Sequence, residues 1–345
     1  MKSTGLILPS REGGGKTTFI GRELIRNPYE SAVYIMVRPE YLLSTFEEYG
    51  LKKEVKASPN VPDIAAHLEK TVANPAFQQP LSPEAYRKFR KALGKLLWLA
   101  QVRHDLKLFL SLIGTQQAHP MHGTEQALRS LLRFLVSDVN VALRLPSNSK
   151  EALHFDGREE FSVMVHSFSD ASHGPYRFNG RRGITGGVTY FDNGLVKSSA
   201  KQQQATSLSS CESELYAIQQ IAQESIALVR LFHRVLHGIG LISEQENIPI
   251  VLETDSASAI QLLQGIDIPK RSRHIEIRLL WLRSKLETGE VILRHRPGLQ
   301  NVADLFTKCL SAQDFMRHRL TLGLAPLEGS PLLNFHVCLV FGWIL

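Results

Sequence analysis

Cysteine is scarce in this chain. Its three cysteines, Cys211, Cys309 and Cys338, lie far apart and form no Cys-x-x-Cys pair. This argues against a disulfide framework and a cysteine zinc site, and it fits a reducing compartment. Long apolar runs are missing too. The C-terminal stretch LLNFHVCLVFGWIL has 14 residues and is interrupted by His336, short of the roughly 20 a membrane helix needs. Residues 329–345 therefore read as a packed or extraneous apolar tail. The apolar core of the N-terminal MKSTGLILPSREGGGKTT is too short for a signal peptide. An intracellular protein without a membrane span is expected. Acidic charge is not in excess either. Forty Lys and Arg face 33 Asp and Glu, a net charge of +7, and a basic balance favours a polyanionic partner, nucleic acid first. With 43% hydrophobic and 21% charged residues, the composition is globular and supports one large domain or two ordinary ones.

Patterning divides the chain. Residues 1–57 mix short apolar runs with turn residues. Residues 58–83 are proline-rich and linker-like. From 84 to 145, EAYRKFRKALGKLLWLAQVR and GTEQALRSLLRFLVSDVNVALRL repeat apolar residues at helical intervals. The polar stretch PSNSKEALHFDGR at 146–158 marks a boundary. Beyond it, EEFSVMVHSFSDA alternates as a strand, with Phe161, Val163 and Val165 on one side. GGVTYFDNGLVKSSAKQ predicts a hairpin turning at Asp192-Asn193-Gly194. A helix from about Ser210 to Leu236 follows, then a strand (IPIVLETD), two helices, a strand (EVILRHR) and a last helix opening at NVADLFTKCL. That order predicts an α/β fold, a mixed sheet covered by helices.

Within SLSSCESELYA, Ser209 as N-cap makes Glu212 the third helical residue, and Ser-x-x-Glu is a capping box. On the helical wheel, Ile218, Ile221, Leu228 and Phe232 define an apolar face with Glu214 near its middle and Glu212 roughly opposite. A lone buried carboxylate is costly unless paired or on a metal. In the first turn Glu214 can also hang off the rim in water, and the wheel alone leaves both open. Three further acids bear on the choice. Asp170 and Asp255 end strands, and Asp304 stands in the first turn after the loop RPGLQN. Each singly is an ordinary turn or cap residue. Four acids converging on one sheet edge suggest hard divalent cations, which prefer oxygen ligands.

Two motifs are decoys. In GGGKTT the first glycine of a phosphate-binding loop would have to be at position 10, which is Ser10. His119 and His122 have ligand-like spacing but no second pair, and they read as structural.

The motifs in order resemble a known family. HSFSDASHG, GRRGITGGVTYF, SAKQQQATSLSSCESELYA, ETDSASAI, IPKRSRHIEIRLLWLR and NVADLFTKCL are similar to the ribonuclease H domain of copia-type retrotransposon Pol polyproteins. Upstream, TTFIGRELIR, RPEYLLSTFEEYGL, YRKFRKALGKLLWLAQVRHDL and HGTEQALRSLLRFL resemble the end of the reverse transcriptase region of the same polyproteins.

The resemblance implies a ribonuclease H-like domain at 146–328, preceded at 1–145 by a mostly helical thumb- or connection-like remnant. It implies Asp170, Glu214, Asp255 and Asp304 as catalytic metal ligands for two magnesium ions, with manganese as the alternative. The implied activity is endonucleolytic hydrolysis of the RNA strand of RNA–DNA hybrids. The Leu-Tyr-Ala after Glu214 matches the family pattern and agrees with the wheel. Phosphate contacts are expected from Arg181, Arg182, Lys197 and Lys201, and from the KRSR cluster with Lys270, Arg271 and Arg273. A solvated surface charge is the competing expectation for each. His173 stands where the family often has tryptophan, and His295 lies near the place of a mobile histidine in cellular and retroviral relatives. No Tyr-x-Asp-Asp motif occurs, so the chain alone is not expected to copy nucleic acid. A missing polymerase palm, or the full polyprotein, is an implied partner. The competing expectation is a truncated or decayed element that only binds nucleic acid.

Overall fold

The computed structural model describes residues 15–26, 32–51, 61–146, 164–265 and 275–326. The chain divides into two compact units. One comprises 1–151 together with 309–345, the other 152–308.

The first unit opens with strands β1 (Gly15–Phe19), β2 (Arg22–Arg26) and β3 (Ala32–Val37). Helices α1 (Glu40–Glu48), α2 (Ile64–Ala73), α3 (Pro83–Leu99), α4 (Lys107–Gly114) and α5 (His122–Ser137) follow, then strand β4 (Val141–Pro146). Helix α3 shows why these segments coil. Ser82 caps the Ala85 amide, Pro83 opens the first turn, and Phe89, Leu93 and Leu96 form the buried stripe. The helical content was expected; the sheet was not. The continuous helix expected through GTEQALRSLLRFLVSDVNVALRL ends at Asp138, and VALRLP is a strand. At that break the Asp138 carbonyl accepts from Arg103 Nη1 at 2.6 Å and its carboxylate from Nη2, also at 2.6 Å. Lys16 lies in β1 and pairs with buried Glu23 at 2.6 Å, so GGGKTT leads into a strand, not a helix that could cradle phosphate.

The second unit carries the five-stranded sheet β7-β6-β5-β8-β9. Its strands are β5 (Val165–Ser172), β6 (Ile184–Phe191), β7 (Gly194–Gln202), β8 (Ile250–Thr254) and β9 (Ile292–His295). Strands β5, β6 and β7 run antiparallel, while β8 and β9 join β5 in parallel. Helix α6 (Ser210–Gly238) follows β7, and α7 (Ala257–Gln264) and α8 (Glu276–Glu287) link β8 to β9. This connectivity is a ribonuclease H-like fold. Helix α6 lays Leu215, Ile218, Ile221 and Ala222 on the sheet, joined by Leu279 and Leu282 of α8. The β6–β7 hairpin turns where expected, with Asp192 and Asn193 both at positive φ (44° and 66°), as a two-residue type I′ turn requires. Of the alternating strand predicted before Asp170, Phe161 and Val163 lie outside the described residues.

Past the second unit the chain re-enters the first through α9 (Ala312–Thr321) and β10 (Leu324–Pro326). Strand β10 pairs antiparallel with β4 and completes the order β1-β2-β3-β4-β10. Phe315 of α9 packs on Phe109 and Phe134. Residues 309–326, assigned to the second domain from sequence, thus fall in the first unit, where Phe315, Arg319 and Leu324 are buried. No helix among the described residues is long and apolar enough to cross a membrane. The tail at 329–345, with Cys338, lies outside them.

Candidate active site

The parallel pairing of β5 with β8 sets Phe168 opposite Glu253. Two residues further the same register brings Asp170 beside Asp255, at the end of the sheet where α6 begins. Ser209 caps α6 by accepting from the Glu212 amide at 3.2 Å. The first turn is fixed to the sheet through buried Gln203, which donates to the Ser213 carbonyl (3.0 Å) and to the Thr185 hydroxyl (3.2 Å). Glu214 then stands with Asp170 and Asp255, one carboxylate oxygen of each lying within 4.8 Å of the others. Glu214 Oε2 is buried and has no hydrogen-bond partner. Glu212 has a different role. Its Oε2 accepts from the Leu208 amide at 2.6 Å and its Oε1 from the Tyr216 hydroxyl at 2.5 Å. It closes the cap as expected of a capping box, but one residue upstream of Ser209, and it is buried.

Asp304 approaches from elsewhere. The last helix expected at NVADLFTKCL is a 3-10 turn at Val302–Phe306, and helix resumes only at Ala312 under a Ser311 cap. Asn301 ties the turn down by accepting from the Ala303 amide (3.2 Å) and donating to the Ser169 carbonyl (3.0 Å). The chain leaves the turn with the Thr307 hydroxyl donating to Asp170 and with Lys308 reaching two acids. Lys308 Nζ is 2.8 Å from Asp304 Oδ1 and 3.3 Å from Asp170 Oδ2. Asp304 is not among the three mutually close acids; Lys308 connects it to Asp170.

Charge crowding follows. Burial first, then Asp170 and Asp255, push the Glu214 carboxyl up to about 9. Burial raises Asp170 as well, with Asp304 adding and Lys308 opposing. Burial and then Asp170 raise Asp255. Despite burial, the surrounding acids raise the Lys308 ammonium. Acids that resist ionisation together, one with an orphaned oxygen, are a donor set suited to a hard divalent cation.

No family model matches the chain. It is 22% identical over 304 residues to the retrovirus-related Pol polyprotein from transposon TNT 1-94 of Nicotiana tabacum, covering 88% of this chain and 21% of that polyprotein. It is 23% identical over 237 residues to the Pol polyprotein from transposon RE1 of Arabidopsis thaliana, covering 69% of this chain and 15% of that one. The chain is related to retrotransposon Pol polyproteins. The resemblance to copia-type Pol read from the motifs is borne out, and the chain spans about a fifth of these relatives' length or less. Among solved structures it is similar to LC11-RNase H1 isolated from compost (15% identity, 42% of this chain and 92% of that one, TM-score 0.31). It is also similar to the foamy viral protease-reverse transcriptase in complex with dsDNA (14% identity, 82% and 45%, TM-score 0.34).

The other residues singled out in this Pol-related chain are spread around the site. Arg181 and Arg182 are exposed on the β5–β6 loop. Lys197 and Lys201 meet Glu224 of α6 at 3.0 and 2.9 Å, so an intramolecular partner holds both. Lys270, Arg271 and Arg273 lie outside the described residues. His295 is exposed at the end of β9, in register with Thr254. His173 Nδ1 is 3.1 Å from the Ser207 hydroxyl, part of the network under the start of α6. The sequence reading missed Thr307, Lys308 and Asn301. The signal for Lys308 was its position four residues after Asp304.

Proposed function

We propose that the second unit is a ribonuclease H that hydrolyses the RNA strand of RNA–DNA hybrids in a cation-dependent reaction. The observation that carries this is the convergence of Asp170, Glu214 and Asp255 within 4.8 Å, with an unpartnered Glu214 oxygen among them. The ribonuclease H-like strand order and the kinship with retrotransposon Pol support it. Asp170, Glu214 and Asp255 would hold one divalent cation, and Asp304 with Asp170 a second; magnesium fits oxygen donors, and manganese is the alternative. Bound cations supply a metal-activated water and neutralise charge developing on the leaving oxygen. The protein's part is to fix the acids on a rigid sheet edge and on the capped start of α6, where burial and mutual repulsion disfavour their ionised forms until a cation is bound. Arg181 and Arg182, with the KRSR cluster, would contact phosphates, and the 2′-hydroxyl of an A-like duplex would distinguish the RNA strand. The first unit would be the end of a reverse transcriptase region, acting in the cell beside the rest of its polyprotein.

The test is cleavage of a labelled RNA–DNA hybrid by the purified full chain, with magnesium and with EDTA. Magnesium-dependent cutting of the RNA strand is expected, falling by about a hundredfold or more in Asp255→Asn as a site carboxylate is lost. Salt-sensitive hybrid binding without cutting would instead assign the chain a binding role.

A further inference from the structure

We infer that Lys308 is a built-in competitor for one of the two cation positions. Its ammonium holds Asp170 and Asp304 together, and a divalent cation bridging those two acids enters only as the ammonium swings away. This rests on the metal-site reading above and adds an asymmetry that the four acids alone do not contain.

The two positions are unlike in this structure. On one side Asp170, Glu214 and Asp255 face one another, and Glu214 Oε2 has no protein partner. On the other side the donors are engaged. Lys308 Nζ is 2.8 Å from Asp304 Oδ1 and 3.4 Å from Asp170 Oδ1, and Asp170 Oδ2 also accepts from Thr307. The ammonium therefore sits where a cation joining Asp170 to Asp304 would have to be. Like charges a few ångströms apart in a partly buried site repel strongly, so both cannot occupy that place. Lys308 has a way out. Its side chain is 44% exposed, and its four-carbon stem is flexible. A cation first occupies the Asp170–Glu214–Asp255 position. A second reaches Asp304 only against the lysine, and its affinity is set by the charge at position 308.

The experiment is a manganese titration of the full chain without nucleic acid, followed by calorimetry and by the spin signal of free Mn2+. It compares the wild type with Lys308→Gln and Lys308→Arg, and thermal midpoints in EDTA verify that all three fold. The wild type is expected to bind one ion more tightly and a second about tenfold or more weakly. Lys308→Gln tightens the second ion about tenfold and leaves the first in place, and Lys308→Arg keeps the wild-type pattern. Equal second-ion affinity in wild type and Lys308→Gln overturns the inference while leaving the metal site standing. So does an equal change in both variants, which would indicate packing rather than charge. Absence of bound manganese in all three overturns both the inference and the reading beneath it.

Discussion

The Glu214 carboxyl titrates near 9 instead of its ordinary 4.5 because it is buried and faces two other acids. The folded state therefore holds the proton more tightly than the unfolded chain. The stability this confers is complete below pH 4.5 and is lost as pH rises through the window up to about 9. In EDTA the thermal midpoint of the wild type should fall across that window. Glu214→Gln, which keeps the shape and removes the charge, should flatten the fall and gain about 1–3 kcal/mol at pH 8. Parallel pH curves for the two proteins would show that Glu214 is solvated and that its burial has been misread. The wheel placed Glu214 among apolar neighbours but left a solvated place on the rim open; the three further acids bore on the choice. Glu212 was legible only in part. A capping box specifies the amides at the start of a helix, but not the Tyr216 hydroxyl that also reaches back to that carboxylate.

Two consecutive glycines on β6 show how elements set the site. A Cβ on Gly187 would lie 2.0 Å from the Ile221 Cδ1 atom of α6. A Cβ on Gly186 would lie 2.9 Å from the Ala303 carbonyl and 2.5 Å from the Thr307 side chain. The bare strand lets α6 approach through Gly187 and the Asp304 turn through Gly186. Either change to alanine overpacks a tight contact and should cost about 1–3 kcal/mol in denaturant unfolding. They should differ in function. Gly186→Ala displaces backbone next to Asp304 and should slow hybrid cleavage beyond its loss of stability, whereas at Gly187 a flexible side-chain tip can move. Equal activity of the two would separate the glycine pair from the site. At this scale the hairpin, the long helix and the strands ending in Asp170 and Asp255 were legible, because turn chemistry and periodicity are local. The 3-10 turn at Asp304 was not. A helix and a turn that stops after five residues share the same apolar spacing, and the turn is held by Asn301 bonding to a strand far away in sequence. Strands β1 and β2 were missed because GKTTF and RELIR are mostly solvent-facing and carry no apolar run, and β4 because its apolar residues continue the helical spacing of α5.

At the scale of the molecule, four fully buried charges join distant parts of the first unit. Arg103 donates to both oxygens of Asp105 (2.9 and 2.8 Å) and to Asp138 (2.6 Å), while Arg319 of α9 donates to Asp138 (3.0 Å). Burial opposes ionisation of Asp105, but Arg103 and Arg319 outweigh it and hold its carboxyl below the usual range. Removing one partner strands the others in a dry core, so Asp138→Ala should lose about 3–5 kcal/mol, read as a lower denaturant midpoint. A loss near that of an exposed substitution would mean that water reaches the cluster. Sequence patterning could not find this group, since an arginine after an amphipathic helix reads as solvated until its partners are placed.

Arg319 and β10 are encoded after the entire second unit, yet both belong to the first. A ribosome delivers residues 152–308 while β4 still has a bare edge and Arg103 faces two aspartates with one cation too few. The ribonuclease H-like unit can mature during translation, whereas the first unit can close only when α9 and β10 have left the exit tunnel. A nascent chain stalled near residue 308 would present a finished insert inside an unfinished frame, a natural client for a holding chaperone.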